Sequence, residues 1–146
     1  MELTGAAPVR PSHLHGRDRE QALIDGLVDG LRAGRGGALV LAGGVGTGRS
    51  SLLRYAEGRA GGMRLLRCHG DEAESALPFA ALHQLVGPLL HLAGELPARL
   101  AAPLADAVGA GPQPAGGDRF LVASAALALL TAAAAAEPLL CLVDDA

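Results

Sequence analysis

"LVLAGGVGTGRSSLL", residues 39 to 53, is the stretch on which the fold turns. The apolar run "ALVLA" (38–42) reads as a strand covered on both faces. It leads into a loop holding Gly43, Gly44, Gly46 and Gly48, and Ser50 to Glu57 reads as a helix beyond it. That order fits the pattern G-x-x-x-x-G-K-[ST]. In it, glycines let the backbone curl its N–H groups toward phosphate oxygens, and the helix N-terminus adds about half a positive charge. Gly43, Gly48 and Ser50 fill their positions, and Arg49 stands where the pattern has lysine. In a chain with 21 glycines, a plain glycine-rich turn is the other reading, and the loop alone leaves both open.

Working outward, Leu23, Ile24, Leu27, Val28 and Leu31 recur at helical spacing between Arg17 and Arg32, and "GRGG" (34–37) ends that helix. Gly26 and Gly30 each weaken it by about 1 kcal/mol against alanine. On the other side, Gly58 and the Gly61-Gly62 pair stop the helix after the loop, and "MRLLRCH" (63–69) is a second strand. Pro78 opens a helical stretch with Phe79, Leu82, Leu85 and Val86 on one face, and Gly87-Pro88 should kink or end it. "LPARLAAPLADAVG" (96–109) is a helix interrupted by Pro103, and "GAGPQPAGG" (109–117) is a loop. Asp118 is placed to cap the alanine-rich helix that follows. Glu137-Pro138 terminates it, and "LLCLV" (139–143) is a third buried strand. Strands separated by helices imply crossover connections, hence an α/β fold with a parallel sheet flanked by helices.

Composition narrows the class. A chain of 146 residues allows one domain and hardly two. Half of it is hydrophobic, but Tyr55, Phe79 and Phe120 are its only aromatics, so small and branched aliphatic groups must build the core. Net charge is −3 and all twelve basic residues are arginine, which gives no basic surface for nucleic acid. The lack of lysine matches a GC-rich coding bias that by itself accounts for some Lys-to-Arg exchange. Cys68 and Cys141 read as buried small hydrophobes of a reducing cytoplasm, not a disulfide. The histidines lack metal-ligand spacing. The uncharged "FLVASAALALLTAAAAA" (120–136) approaches bilayer length but lacks a basic flank, so it reads as a buried helix of a cytoplasmic chain without membrane contact.

The last run, "LLCLVDD", ends in two acids. In a magnesium-holding strand the first, Asp144, would orient magnesium water and the second, Asp145, would polarise an attacking water. A carboxylate after a strand is by itself usually a solvated turn; with the loop upstream, the pair is hard to read as accident.

These segments resemble the front of the AAA/STAND-type P-loop ATPase domain of large LuxR-family transcriptional regulators. The resemblance is carried by "HGRDRE" (15–20), "LVLAGGVGTGRSSLL" (39–53), "DEAESALPFAALHQLVGPLL" (71–90), "GDRFLVASAALALL" (117–130) and "PLLCLVDDA" (138–146). "LPFAALHQL" (77–85) is the most family-specific piece. Residues 1–14 read as a flexible entry, and the three strands read above would belong to the N-terminal portion of such a domain at 15–146, which the resemblance implies is cut after its acidic (Walker B) strand. The resemblance also implies ATP or ADP with Mg2+. Gly43, Gly44, Val45, Gly46, Thr47, Gly48, Arg49, Ser50 and Ser51 would hold the phosphates, with Gly16 and Arg17 as a box near adenine and ribose. Ser50 and Asp144 would hold the metal, and Asp145 would be catalytic. Read without the family, Arg17 is a first-turn helix residue making surface pairs, and His83 and Gln84 are packing and surface residues.

The function so implied is a nucleotide-binding module of a regulator, a switch with weak or no hydrolysis in this segment. An active ATPase in a completed domain and a non-binding interaction fragment are the alternatives. Arg49 keeps lysine's charge but replaces a compact ammonium with a wide planar fork, so binding is expected to survive better than hydrolysis. In the family fold a further strand lies between the loop strand and the acidic strand. Without it, open sheet edges predict poor stability or self-association. DNA binding would belong to a C-terminal helix-turn-helix beyond this segment.

Overall fold

In the computed structural model the first helix, α1 (Asp18–Arg32), carries Asp18 and Glu20 in its first turn and Arg32 in its last, charges that complement the helix dipole. The structure describes residues 16–70, 79–109 and 118–144. The N-terminal segment 1–14, Pro78, the loop 110–117 and Asp145 lie outside the described residues. The chain divides into two units, Met1–Gly62 and Met63–Ala146.

In the first unit, α1 packs on α2 (Arg49–Gly58). Gln21, Ile24 and Val28 of α1 and Leu52 and Ala56 of α2 are buried. Leu23, expected on the apolar face, is 51% exposed, because a single partner helix covers a narrower stripe than the sequence pattern offers. The helices are also tied by polar groups. The Tyr55 hydroxyl donates to Asp25 at 3.0 Å, and Arg59 Nε lies 2.8 Å from Asp25 Oδ1. Arg32 pairs with Asp29 at 2.9 Å and donates to the Arg59 carbonyl at 2.6 Å.

Residues 38–42 do not form the expected strand. Val40 is 86% exposed and Leu39 is exposed as well. A strand exists only through a ladder to a neighbour, and the described part of this unit contains helices alone. High β-propensity without a partner leaves the segment irregular.

The second unit is mixed α/β. Its order is β1 (Arg64–His69), α3 (Ala80–Val86), a 3-10 segment (Gly87–Glu95), α4 (Ala98–Val108), α5 (Arg119–Ala136) and β2 (Leu139–Asp144). The strands pair in parallel, from Arg64 opposite Leu139 to His69 opposite Asp144, so the crossover read from the sequence is present. The described sheet has two strands rather than three. The core gathers Leu66 of β1, Val86 of α3, Leu89 of the 3-10 segment, Leu104 of α4 and Ala125, Ala126, Leu129 and Ala133 of α5. Asp118 caps α5, its Oδ1 accepting from the N–H groups of Phe120 at 2.9 Å and Leu121 at 3.4 Å.

Gly87-Pro88 ends α3 as expected, and the chain continues as a tighter helix, for which Pro88 near the start has a suitable φ. Two local expectations change. Pro103 does not interrupt α4, where burial of Leu104 and Ala107 outweighs the missing N–H. β2 is not buried. By register Cys141 and Val143 share a face with the buried Leu66 and Cys68, yet both are exposed, so helices cover β1 more fully than the end of β2. Cys141 is thus not the buried hydrophobe expected.

Among the described residues, α5 is one helix long and apolar enough to cross a membrane. Its buried residues nonetheless supply half of the core of this unit.

Candidate functional site

The loop between residues 43 and 48 is shaped by glycine chemistry at three points. Gly46 and Gly48 adopt φ of +80° and +83°, a left-handed region that L side chains enter at a cost of roughly 1–2 kcal/mol. Gly43 has no such φ, but a Cβ built there would lie 2.6 Å from Thr47 Oγ1 and 3.3 Å from Thr47 Cβ. The loop closes on itself through Thr47, whose hydroxyl donates to the Gly44 carbonyl at 2.8 Å and whose N–H reaches the same oxygen at 3.3 Å.

Gly48 caps α2, its carbonyl accepting from the N–H groups of Ser51 and Leu52 at 3.1 Å. Arg49 and Ser50 thus form the first turn of the helix, where the backbone N–H groups have no acceptor within the helix and the dipole favours an anion. Residues 42 to 48 are exposed, with Val45 fully in solvent, so the loop is open to a ligand. Ser51 turns its hydroxyl to Arg54, which donates to it at 3.3 Å.

Beside the loop lies a cavity of about 250 Å³, with Leu23, Leu39 and Leu52 as apolar walls and Arg17, Glu20 and Arg49 as charged ones. Two arginines against one glutamate leave it net positive. Gly16, at φ +72°, turns the chain into α1 and thereby sets Arg17 at the helix start. Arg17 uses both ends of its fork: Nη1 pairs with Glu20 Oε1 at 2.7 Å, and Nη2 donates to the Thr47 carbonyl at 2.6 Å. The hydrogen bond from Arg17, first among the causes, holds the Glu20 carboxyl below its usual value and keeps it ionised.

The first unit therefore brings together Gly16 and Arg17, which only the family resemblance singles out, and residues 43 to 51, which the glycine pattern marks. Glu20 and the apolar walls escaped that pattern. The i,i+3 spacing of Arg17 and Glu20 in "GRDRE" was the available signal for their pairing. Asp144 ends β2 in the second unit, where its carbonyl accepts from the Gly70 N–H at 2.9 Å.

Outside this site, Gln84 accepts from the His69 N–H at 2.9 Å, satisfying the end of β1 from α3, a tie that its surface-residue reading missed. Burial pushes the Cys68 thiol up; Cys141, although exposed as a residue, is raised by partial desolvation of its thiol among neighbouring atoms and then by Cys68, and both are free thiols. Among the described residues no three His, Cys, Asp or Glu side chains gather as a metal site.

Searches of characterised proteins and of solved structures returned no significant match to the chain. A family comparison did: residues 13–146 match the AAA ATPase domain.

Proposed function

Because the chain belongs to the AAA ATPase domain family, we propose that its glycine loop, from Gly43 to Ser51, holds the polyphosphate of ATP or ADP, with Gly16 and Arg17 belonging to the same site. The observation that carries this reading is the loop itself: two left-handed glycines and a third that admits no Cβ, closed by Thr47 and delivered onto the start of α2. Backbone N–H groups there can meet phosphate oxygens without a side chain in the way. Arg49, on the cavity wall, adds charge.

Magnesium suits the remaining assignments by donor chemistry, since the Ser50 hydroxyl and the Asp144 carboxylate are hard oxygen ligands. When bound, the ion would neutralise charge on the outer phosphates. Asp145 is assigned to polarise the attacking water. Arg49 brings a planar fork where compact placement counts most in the transition state, which supports a switch that binds nucleotide and hydrolyses it weakly or not at all.

Resemblance to the front of LuxR-family regulators, strongest in "LPFAALHQL", supports a role in signal-dependent transcription control in the cytoplasm. The net charge of −3 supports assigning no DNA contact to this segment. Burial of one face of α5 supports a membrane-free chain. Each described strand has one unpaired edge, which supports self-association through the sheet.

The test is binding of Mg-ADP and Mg-ATP to the chain by calorimetry, with hydrolysis followed in parallel. Saturable binding of both is expected, with phosphate release from the parent slower than from Arg49→Lys. Absence of binding at millimolar nucleotide sinks the reading. Equal turnover of parent and variant removes the argument from Arg49. Rapid phosphate release abolished by Asp145→Asn would instead establish a working ATPase.

A further inference from the structure

Arg17 has two acceptors, and they belong to different parts of the first unit. Its partner Glu20 lies one turn along its own helix; Thr47 is 30 residues away, at the tip of the glycine loop. A surface pair would account for the first contact only. The second falls on a backbone oxygen, so it acts on the shape of the chain.

That oxygen is part of the peptide plane joining Thr47 to Gly48. In a trans peptide the C=O and the following N–H point in opposite directions across one rigid plane. Drawing the Thr47 carbonyl onto Arg17 therefore orients the Gly48 N–H away from Arg17. Gly48, at φ +83°, is the residue through which the loop enters α2. From the other side Thr47 is clasped by the Gly44 carbonyl, through its hydroxyl and its N–H. Thr47 is thus held between two anchors, one inside the loop and one on α1. The guanidinium is planar and rigid, so Glu20 on one nitrogen fixes where the other nitrogen points.

We propose that Arg17, oriented by Glu20, is a positioning residue of the phosphate loop: it acts on polyphosphate binding through the Thr47 carbonyl and makes no contact with the base or sugar. The proposal rests on the nucleotide-binding reading above and separates from it in test. A group that touches adenine or ribose matters to a nucleotide and not to a bare polyphosphate. A group that shapes the loop matters equally to both.

The experiment compares the parent chain with Arg17→Ala, Arg17→Lys and Glu20→Gln, using ADP and inorganic tripolyphosphate, each with magnesium. In Arg17→Ala both ligands should weaken by the same factor, about 10- to 100-fold for a lost charge-assisted bond. Arg17→Lys, which keeps the charge but not the fork, should recover little, and Glu20→Gln should weaken both ligands together but less. Weaker ADP with unchanged tripolyphosphate overturns the proposal in favour of a nucleoside contact, and full rescue by lysine overturns it in favour of charge alone. The ligand-free chain supplies a second readout: amide exchange at Thr47, whose N–H bonds the Gly44 carbonyl, should quicken in Arg17→Ala while exchange in the middle of α2 is unchanged. Unchanged exchange at Thr47, or quickening throughout α2, overturns the positioning role. If the parent binds neither ligand, the nucleotide reading fails, while this exchange result still decides whether Arg17 holds the loop.

Discussion

Gly43 and Thr47 come so close that a single added methyl cannot fit between them. Rotating Thr47 aside would relieve the 2.6 Å approach only by breaking its bond to the Gly44 carbonyl. We therefore expect Gly43→Ala to destabilise the first unit by about 1–3 kcal/mol, as overpacking usually does. It should also weaken Mg-ADP by tenfold or more if the loop is the phosphate site. Calorimetry and thermal melts of Gly43→Ala, Thr47→Ala and the double variant check this. The double variant should lose less than the two singles added together, because the clash partner is gone. Glycines at such positions are legible in a sequence as a motif, but the motif does not say why. Here Gly46 and Gly48 answer to backbone dihedrals and Gly43 to a neighbouring side chain.

Between elements, the tie of α1 to α2 has a natural reporter. Tyr55 is the single tyrosine and the chain has no tryptophan, so tyrosinate absorption belongs to this site alone. Its pKa is raised from 10.0, first by burial, then by the hydrogen bond to Asp25 and that residue's charge. A raised folded-state value means that the neutral phenol is the stabilising form. The contribution is complete below the unfolded-state pKa and is lost as pH rises through the folded-state one. Alkaline titration should thus ionise Tyr55 at higher pH in the native chain than in denaturant. Asp25→Asn should narrow the gap without closing it, because burial is the larger cause. At the other end of the chain, Asp118 satisfies two N–H groups of α5. Asp118→Ala should cost about 0.5–2 kcal/mol in thermal or denaturant unfolding.

For the whole molecule the question is what α5 is for. Its length and apolarity alone would suit a bilayer, yet its sides differ. Leu129 is 0% exposed in the core of the second unit, while Leu127 is 67% exposed. Leu129→Ala should cost about 2–5 kcal/mol of stability, whereas Leu127→Arg should stay within about 0.5 kcal/mol. A helix that spanned lipid would be hurt by arginine at 127, so chemical denaturation of these two variants separates the roles. The same core explains why a chain with few aromatics can fold here: alanines at 125, 126 and 133 let α5 approach its neighbours closely, and leucines fill what remains.

Short-range chemistry carried most of what the sequence determined by itself. Helical periodicity, the Asp118 cap, the break at Glu137-Pro138 and the crossover linking β1 to β2 depend on neighbours a few residues away, or on a simple order of elements. The glycine loop was legible for the same reason. Tertiary structure alone decided the rest. "ALVLA" has the composition of a strand, but a ladder requires a partner that no local pattern can supply, and its segment stays irregular. Cys141 and Leu23 occupy apolar patterns, yet exposure depends on which neighbouring element covers them. Arg17 reaches a carbonyl 30 residues distant, a bond that residue spacing cannot encode because only the folding of α1 beside the loop brings the two atoms together.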